Sequence, residues 1–202
     1  MKKFVLTFLL LFASNLIFSQ IVWYGKAGGG FARIIDLDSE FEVTWKPTYS
    51  IGVGARYALN NVISLKSELS YLNNGYRTKL APENYDFHFH NAGILVGLGV
   101  PASSRFEIET GMRYSYSFYI RDAYNRDWAG LFQRGDLATF FGINFRLANK
   151  IVLNPRFQYG LSTAIDETNV LVTGQYGNPK SIDLPKDPKH HIQALLYLDY
   201  SF

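Results

Sequence analysis

The sequence predicts an all-β protein, an eight-stranded antiparallel up-and-down transmembrane β-barrel. Three observations predict it. Eight segments alternate, residue by residue, between bulky apolar side chains and small or polar ones, as strands with two different faces do. Short and long connections alternate strictly between these segments. Aromatic residues make up 16% of a chain without cysteine, although no segment after the N-terminal region is long and apolar enough for a membrane helix.

The N-terminal segment is typical of a secretory signal peptide. Two lysines precede an almost wholly apolar stretch from Phe4 to Phe18. This stretch of about 15 residues is shorter than the roughly 20 of a transmembrane helix. Cleavage beside Gln20 would divide the chain into a signal peptide over 1–19 and a barrel domain over 20–202. Loss of the two lysines leaves 18 basic against 17 acidic residues, so the basic pI does not indicate nucleic-acid binding.

The first strand is predicted over Ile21–Ala32. Its register stays open because glycines, at position 25 and over 28–30, interrupt the alternation. Seven further strands alternate more regularly. They cover Tyr49–Leu59, Ile63–Leu72, His88–Val100, Phe106–Ile120, Leu137–Leu147, Ile151–Ser162 and His190–Phe202. An even number of strands places both ends of the domain at the same end of the barrel.

The fifth strand shows the two faces most clearly. Its bulky set is Phe106, Ile108, Thr110, Met112, Tyr114, Tyr116, Phe118 and Ile120, and its other set is Glu107, Glu109, Gly111, Arg113, Ser115, Ser117 and Tyr119. A soluble antiparallel sandwich also alternates, but it places apolar residues in its core and polar residues outside. Here the small and polar set suits a narrow barrel interior, and the bulky set suits lipid.

The connections separate into two classes. Short turns are predicted at Asn60-Asn61, Pro101–Arg105 and Asn149-Lys150, where asparagine tolerates the positive φ of a tight hairpin. Long polar loops are predicted at Ile34–Lys46, Asn73–Phe87, Arg121–Asp136 and Ala164–Pro188. In transmembrane barrels the periplasmic turns are short and the extracellular loops are long. The predicted termini are therefore periplasmic.

Charged residues fall on the inward face of several strands. They are Lys26, Arg56, Lys66, Glu68, Glu107, Glu109, Arg113, Arg146, Arg156 and Asp199. An eight-stranded barrel is only wide enough for side chains to fill it. We therefore expect an ion network in the periplasmic half, with Arg56 beside Lys66 and Glu68, and Glu107 and Glu109 beside Arg146. Such a network would close the interior to solutes.

Three patterns in the sequence are candidates for chemical sites. His88 and His90 share one predicted face, a spacing that suits two metal ligands, but no third ligand stands beside them. The acidic stretch Asp36–Glu40 lacks the glycine and the distal glutamate of an EF-hand loop. Ser117 is predicted inward and His88 outward, so they do not form a nucleophile–base pair. We therefore predict no catalytic residue, no cofactor and no metal.

The chain resembles the small OmpA/OmpX-like outer-membrane β-barrel proteins, including the porin-family barrels common in Bacteroidota. The resemblance covers the mature chain and rests on the terminal pattern Leu196–Phe202, which ends in an aromatic residue, and on the signal ending Ile17–Gln20. It implies residence in the outer membrane among lipid and lipopolysaccharide. It also implies recognition of the last strand, ending at Phe202, by the barrel-assembly machinery.

The functional expectation is a non-enzymatic outer-membrane barrel with an envelope-structural or surface-binding role through its extracellular loops. One alternative is a narrow passive pore for small solutes. The other is an enzyme that modifies lipid A. No ligand of the loops follows from the residues.

Overall fold

The computed structural model describes residues 21–35, 42–60, 62–80, 83–125, 132–162, 169–173, 179–183 and 190–202. The predicted signal peptide lies outside these residues. The strands are β1 (Ile21–Ile35), β2 (Glu42–Thr44), β3 (Lys46–Ala58), β4 (Ser64–Leu80), β5 (Glu83–Pro101), β6 (Phe106–Asp122), β7 (Gly135–Ala148), β8 (Ile151–Gly160), β9 (Asn169–Thr173), β10 (Pro179–Asp183) and β11 (His190–Ser201).

Eight long strands close into an antiparallel barrel. Strand β1 pairs with β3 on one side and with β11 on the other, and the remaining pairings run in order from β3 to β8 and back to β11. The short β2 continues the edge of β3 against β4, and β9 and β10 form a separate hairpin. The predicted fold class and all eight predicted strands are confirmed.

The structure fixes the register of β1, which the alternation left open. Tyr24 pairs with Ser201, and Gly30 pairs with Leu195. A β-carbon at position 30 would lie 1.9 Å from the backbone oxygen of Ala194. Glycine is thus required where β1 and β11 approach closely, and this requirement explains why the alternation is interrupted there.

The two ends of the barrel differ, and we call them the turn end and the loop end. The turn end carries both Ile21 and Phe202 and the three short turns, which are confirmed where predicted. The predicted positive φ is not found at Asn60, since among the described non-glycine residues only Asn125 has one. Instead the side chain of Asn60 accepts hydrogen bonds from the backbone of Val62 and Ile63, at 2.8 and 2.7 Å.

One predicted loop is largely strand. Over Asn73–Phe87 the strands β4 and β5 continue pairing up to Leu80 and Glu83, so the prediction of a long polar loop there is wrong. The alternating pattern ends earlier than the strands because the outward positions change from apolar residues to Arg77 and His88. The backbone hydrogen bonds persist without that pattern.

The outward face of the barrel is apolar around its middle. Ile51, Leu69 and Ile94 are each 58–60% exposed, and large apolar side chains stand outward on every long strand. Aromatic residues border this band, with Trp23 and Tyr200 towards the turn end and Tyr49 and Phe118 towards the loop end. No helix among the described residues is long and apolar enough to cross a membrane.

A β-bulge reverses the faces of β6 near the loop end. His90 pairs with Tyr119 but Asn91 pairs with Ser117, so Phe118 is an extra residue. Phe118 and Tyr119 are both exposed, and Ile120 is buried. The strict alternation predicted Tyr119 inward and Ile120 outward, which is wrong because one inserted residue exchanges the two faces of the strand.

Candidate functional site

The interior of the barrel holds an ion network in its turn-end half. Glu68 accepts hydrogen bonds from Lys26 Nζ at 2.9 Å and from Arg156 Nη1 and Nη2 at 2.7 and 2.8 Å. The hydroxyl of Tyr24 also donates to this carboxylate, at 3.0 Å. All four side chains are buried. Each charge therefore has an opposite partner, as burial in a low-dielectric interior requires.

Glu109 forms the second centre of the network. Arg156 Nη2 approaches its Oε1 to 2.6 Å, and Lys66 Nζ approaches its Oε2 to 2.6 Å. The side-chain amides of Asn144 and Asn154 donate to the same carboxylate, at 3.0 and 2.8 Å. The expected interior network is present, and Arg156 links the carboxylates of Glu68 and Glu109.

The partners within the network differ from those expected. Arg146 is exposed at the turn end, and among the described residues it forms no ion pair with Glu107 or Glu109, its expected partners. Arg56 lies opposite Lys66 in the register, as expected, but its acidic partner is Glu107, at 3.4 Å, and not Glu68. Sequence spacing identified the inward charges but not their partners, because the long side chains reach across the lumen rather than to the adjacent strand.

An aromatic cluster fills the loop-end half of the interior. Tyr76, Phe87, Phe89 and Phe132 are each at most 5% exposed. The ring of Phe132, from the connection between β6 and β7, lies 5.1 Å from that of Phe87 and 5.0 Å from that of Phe89. Sequence analysis did not predict this cluster, although Phe87 and Phe89 occupy the positions opposite in face to His88 and His90. The lumen is thus filled at both levels.

Arg113 lies buried between the two layers. Its Nη1 donates to Gln158 Oε1 at 3.1 Å, while its Nε and Nη2 have no hydrogen-bond partner among the described residues. A β-carbon at Gly93 would lie 2.8 Å from this guanidinium. The glycine on the inner wall therefore makes the space for a buried arginine.

On the outside, three arginines among the described residues contact aromatic side chains at the loop end. The guanidinium of Arg33 lies 5.3 Å from the ring of Trp45, and that of Arg121 lies 4.4 Å from the ring of Tyr119. Arg134 Nη1 donates to the hydroxyl of Tyr116 at 3.4 Å. This arrangement holds positive charge beside the aromatic border of the apolar band.

The β4–β5 hairpin carries an ion pair beyond the apolar band. Asp86 accepts hydrogen bonds from Lys46 and from Arg77, the latter at 3.1 Å. Burial acts to raise the pKa of Asp86, but these two hydrogen bonds outweigh it and hold the pKa below its ordinary value. Asp86 is therefore a stable anion that ties the hairpin to β3.

The candidate chemical sites are distributed over both faces of the wall. His88 and His90 share the outward face, as predicted. The hydroxyl of Tyr71 lies 2.6 Å from His90 Nδ1, and no group of three potential metal ligands occurs among the described residues. Ser117 points inward and donates to Asn91, on the opposite side of the wall from His88. The acidic stretch over residues 36–40 lies outside the described residues.

Comparison with solved structures finds the same fold in small outer-membrane proteins. Neisserial surface protein A matches with a TM-score of 0.57 at 15% identity, over 89% of this chain and 97% of that chain. Ail, the attachment invasion locus protein of Yersinia pestis, matches with a TM-score of 0.50 at 13% identity, over 90% and 98% of the two chains. Its complex with the heparin analogue sucrose octasulfate matches with 0.51.

No family model and no curated protein matches the chain. At these identities the structural likeness concerns the fold. The predicted resemblance to small OmpA/OmpX-like barrels is confirmed at that level.

Proposed function

We propose that this protein is an integral outer-membrane barrel that acts as a closed scaffold, with its loop end as a binding surface. The continuous apolar band supports the membrane part of the proposal, because soluble monomers rarely expose apolar patches larger than a few hundred Å². Since short turns are periplasmic and long loops extracellular in transmembrane barrels, we orient the barrel with the turn end and both termini towards the periplasm. The loop end then faces the cell exterior.

The filled interior is the observation that favours a scaffold over a pore. Arg156 on β8 contacts Glu68 on β4, and these two strands lie opposite each other in the ring of eight. Together with the other buried ion pairs, this contact occupies the lumen at that level, where a solute would have to pass. The aromatic cluster closes the level above it.

We propose that the loop end acts by binding and not by catalysis. Ser117 and His88, which would be the nucleophile and the base of a lipid A-modifying enzyme, stand on opposite faces of the wall. The outward arginines beside Trp45 and Tyr119 suit the phosphate groups of lipopolysaccharide, which would lie at the aromatic border. The Ail complex with a heparin analogue is an example of a barrel with this fold beside a polyanionic ligand.

The scaffold proposal is tested by planar-bilayer recording on the purified protein. We expect no stable open-channel current from the wild-type barrel. Phe132→Ala, which opens only the aromatic layer, should remain silent because the ion network beneath it is intact. A steady current from the wild type would establish the pore alternative instead.

The orientation and the binding surface need separate measurements. On intact cells a membrane-impermeant maleimide should label Tyr124→Cys at the loop end and leave Ser104→Cys at the turn end unlabelled until the membrane is opened. In nanodiscs, lipopolysaccharide should raise the melting temperature of the barrel, and the Arg33→Gln/Arg121→Gln double variant should lose that gain. Labelling of Ser104→Cys on intact cells, or an equal gain in the variant, would contradict the proposal.

A further inference from the structure

A small cavity opens at the turn end, next to the ion network. Its volume is about 50 Å³, and three arginines are among the residues that line it, Arg56, Arg105 and Arg146. Strand β3, the turn before β6, and the end of β7 supply one each. A backbone hydrogen bond of 2.9 Å from Arg146 N to Arg105 O holds two of these segments together.

The cavity has an excess of positive charge. Glu107 is its only lining carboxylate among the described residues. Oε1 of Glu107 already accepts from Lys66 Nζ at 2.8 Å and from Asn144 Nδ2 at 2.8 Å, with Arg56 Nη2 farther away at 3.4 Å. Within the described chain, Arg105 and Arg146 have no ion-pair partner. Two of the three guanidinium groups are therefore not neutralised.

A serine hydroxyl in the same wall has its proton available. Ser103 Oγ accepts hydrogen bonds from the backbone N–H groups of Arg105 and Phe106, at 3.3 and 3.1 Å. A hydroxyl that accepts in this way still has one O–H to donate. The cavity thus offers donors of two kinds and little acceptor capacity, which is the composition of an anion site.

We infer that this cavity binds one oxyanion, a phosphate or a carboxylate, delivered from the aqueous side of the turn end. Arginine matches both groups because its planar fork fits two oxygens at once. The volume agrees with a single oxyanion group, since one water needs about 10–15 Å³ on the same scale. The identification of the aqueous side as the periplasm rests on the proposed function, but the inference of an anion site does not.

The placement of the cavity favours a soluble ligand over a lipid headgroup. Arg56, Glu107 and Asn144 stand on the inward face of their strands. On the outward face at this level, the rings of Phe106 and Phe145 lie 4.8 Å apart and separate the cavity from lipid. An anion must therefore enter along the barrel axis.

The test is an NMR titration of the purified barrel, with ¹⁵N-labelled arginine, in zwitterionic micelles free of phosphate. The soluble probes are inorganic phosphate and N-acetyl-D-alanyl-D-alanine, which carries a free carboxylate. A third arm uses nanodiscs that contain phosphatidylglycerol. We expect saturable shifts of the Arg105 and Arg146 Nε–H signals with at least one soluble probe. Arg105→Gln and Arg146→Gln should each weaken binding about tenfold, the loss of one charge-assisted hydrogen bond.

Arg77→Gln is the matched control, because Arg77 is an exposed arginine at the opposite end of the barrel. It should leave the affinity unchanged. Shifts that rise linearly without saturation, an equal loss in Arg77→Gln, or saturation only with phosphatidylglycerol would each overturn the inference. Since the titration uses purified protein in micelles and nanodiscs, its result does not depend on where the protein resides in the cell.

Discussion

Arg156 and Glu68 meet across the full width of the barrel, although 88 positions separate them in the chain. Both guanidinium Nη atoms donate to the carboxylate, at 2.7 and 2.8 Å, in the bidentate geometry that makes arginine–carboxylate pairs strong. The two residues stand on opposite strands, so their contact ties the two halves of the wall together and occupies the lumen between them.

Removal of one member of this pair should destabilise the barrel strongly. Glu68→Ala would remove the ion-pair partner of Lys26 and one of the two carboxylates that contact Arg156, at a cost on the order of 3–5 kcal/mol. Unfolding in urea, followed by tryptophan fluorescence in lipid vesicles, measures this loss. The Glu68→Ala/Arg156→Ala double variant should lose less than the sum of the single losses, by about 0.5–3 kcal/mol.

Arg146→Ala is the control for this cycle, since Arg146 is exposed and outside the network. It should change the unfolding free energy by no more than about 1 kcal/mol. Additive single losses, or a loss at Arg146 as large as at Glu68, would show that the network does not hold the barrel together.

An arginine introduced on the outward face should destabilise the barrel more strongly the closer it lies to the bilayer midplane. Phe157 stands outward in the middle of β8 and is 47% exposed. Phe157→Arg should cost roughly 2–4 kcal/mol in lipid, whereas Leu147→Arg, outward beside the last short turn, should cost about 0–1 kcal/mol. An arginine at the neighbouring inward position, Gln158→Arg, cannot serve as the substitution that costs little, because Gln158 is buried and contacts Arg113. Equal losses at positions 157 and 147 would contradict a membrane band at this height.

The bulge in β6 can be mapped with single cysteines, because the chain has none of its own. Spin labels at Phe118→Cys and Tyr119→Cys should both show high oxygen accessibility in bilayers, and labels at Ser117→Cys and Ile120→Cys should show low accessibility. Ile108→Cys, on the regular part of β6, gives the reference for an outward position. Alternation that continues unbroken through position 120 would rule out the bulge.

The N-terminal segment should be removed during export. We expect the mature chain to begin near Gln20 and to be found in outer-membrane fractions. We also expect its mobility on gels to change when it is heated, since a closed barrel resists detergent until its strands separate. N-terminal mass spectrometry and semi-native electrophoresis measure both. A soluble periplasmic monomer would contradict the signal and barrel predictions together.

Most of the wall could be predicted from local pattern. The alternation in Phe106–Phe118 placed each side chain on its observed face, because in a strand the face depends only on parity. That rule failed at Tyr119 and Ile120, where Phe118 adds one residue to β6 without a counterpart on β5. A bulge depends on the register between two strands, and neither strand shows it alone.

The candidate sites were less predictable than the wall. Lys66, Glu109 and Arg156 were identified as inward charges, but their pairing was not, since it depends on which strands face each other across the lumen. The turn-end cavity brings Arg56 and Arg146 together from segments distant in the chain, and no motif joins them. The aromatic cluster needs Phe132, which a connection between strands places inside the barrel.

By itself, then, the sequence determined the strand number, the two faces and the two kinds of connection, because these follow from residue parity and local turn chemistry. Only the tertiary structure decided which charges pair, where a bulge exchanges the two faces of β6, and that β4 and β5 extend as a long hairpin. The charge pairs depend on closure of the barrel, which places Glu68 and Arg156 on strands that face each other across the lumen. The bulge and the long hairpin depend on the pairing of neighbouring strands. Closure also sets Gly30 against Ala194, so that distance in the chain no longer measures distance in space.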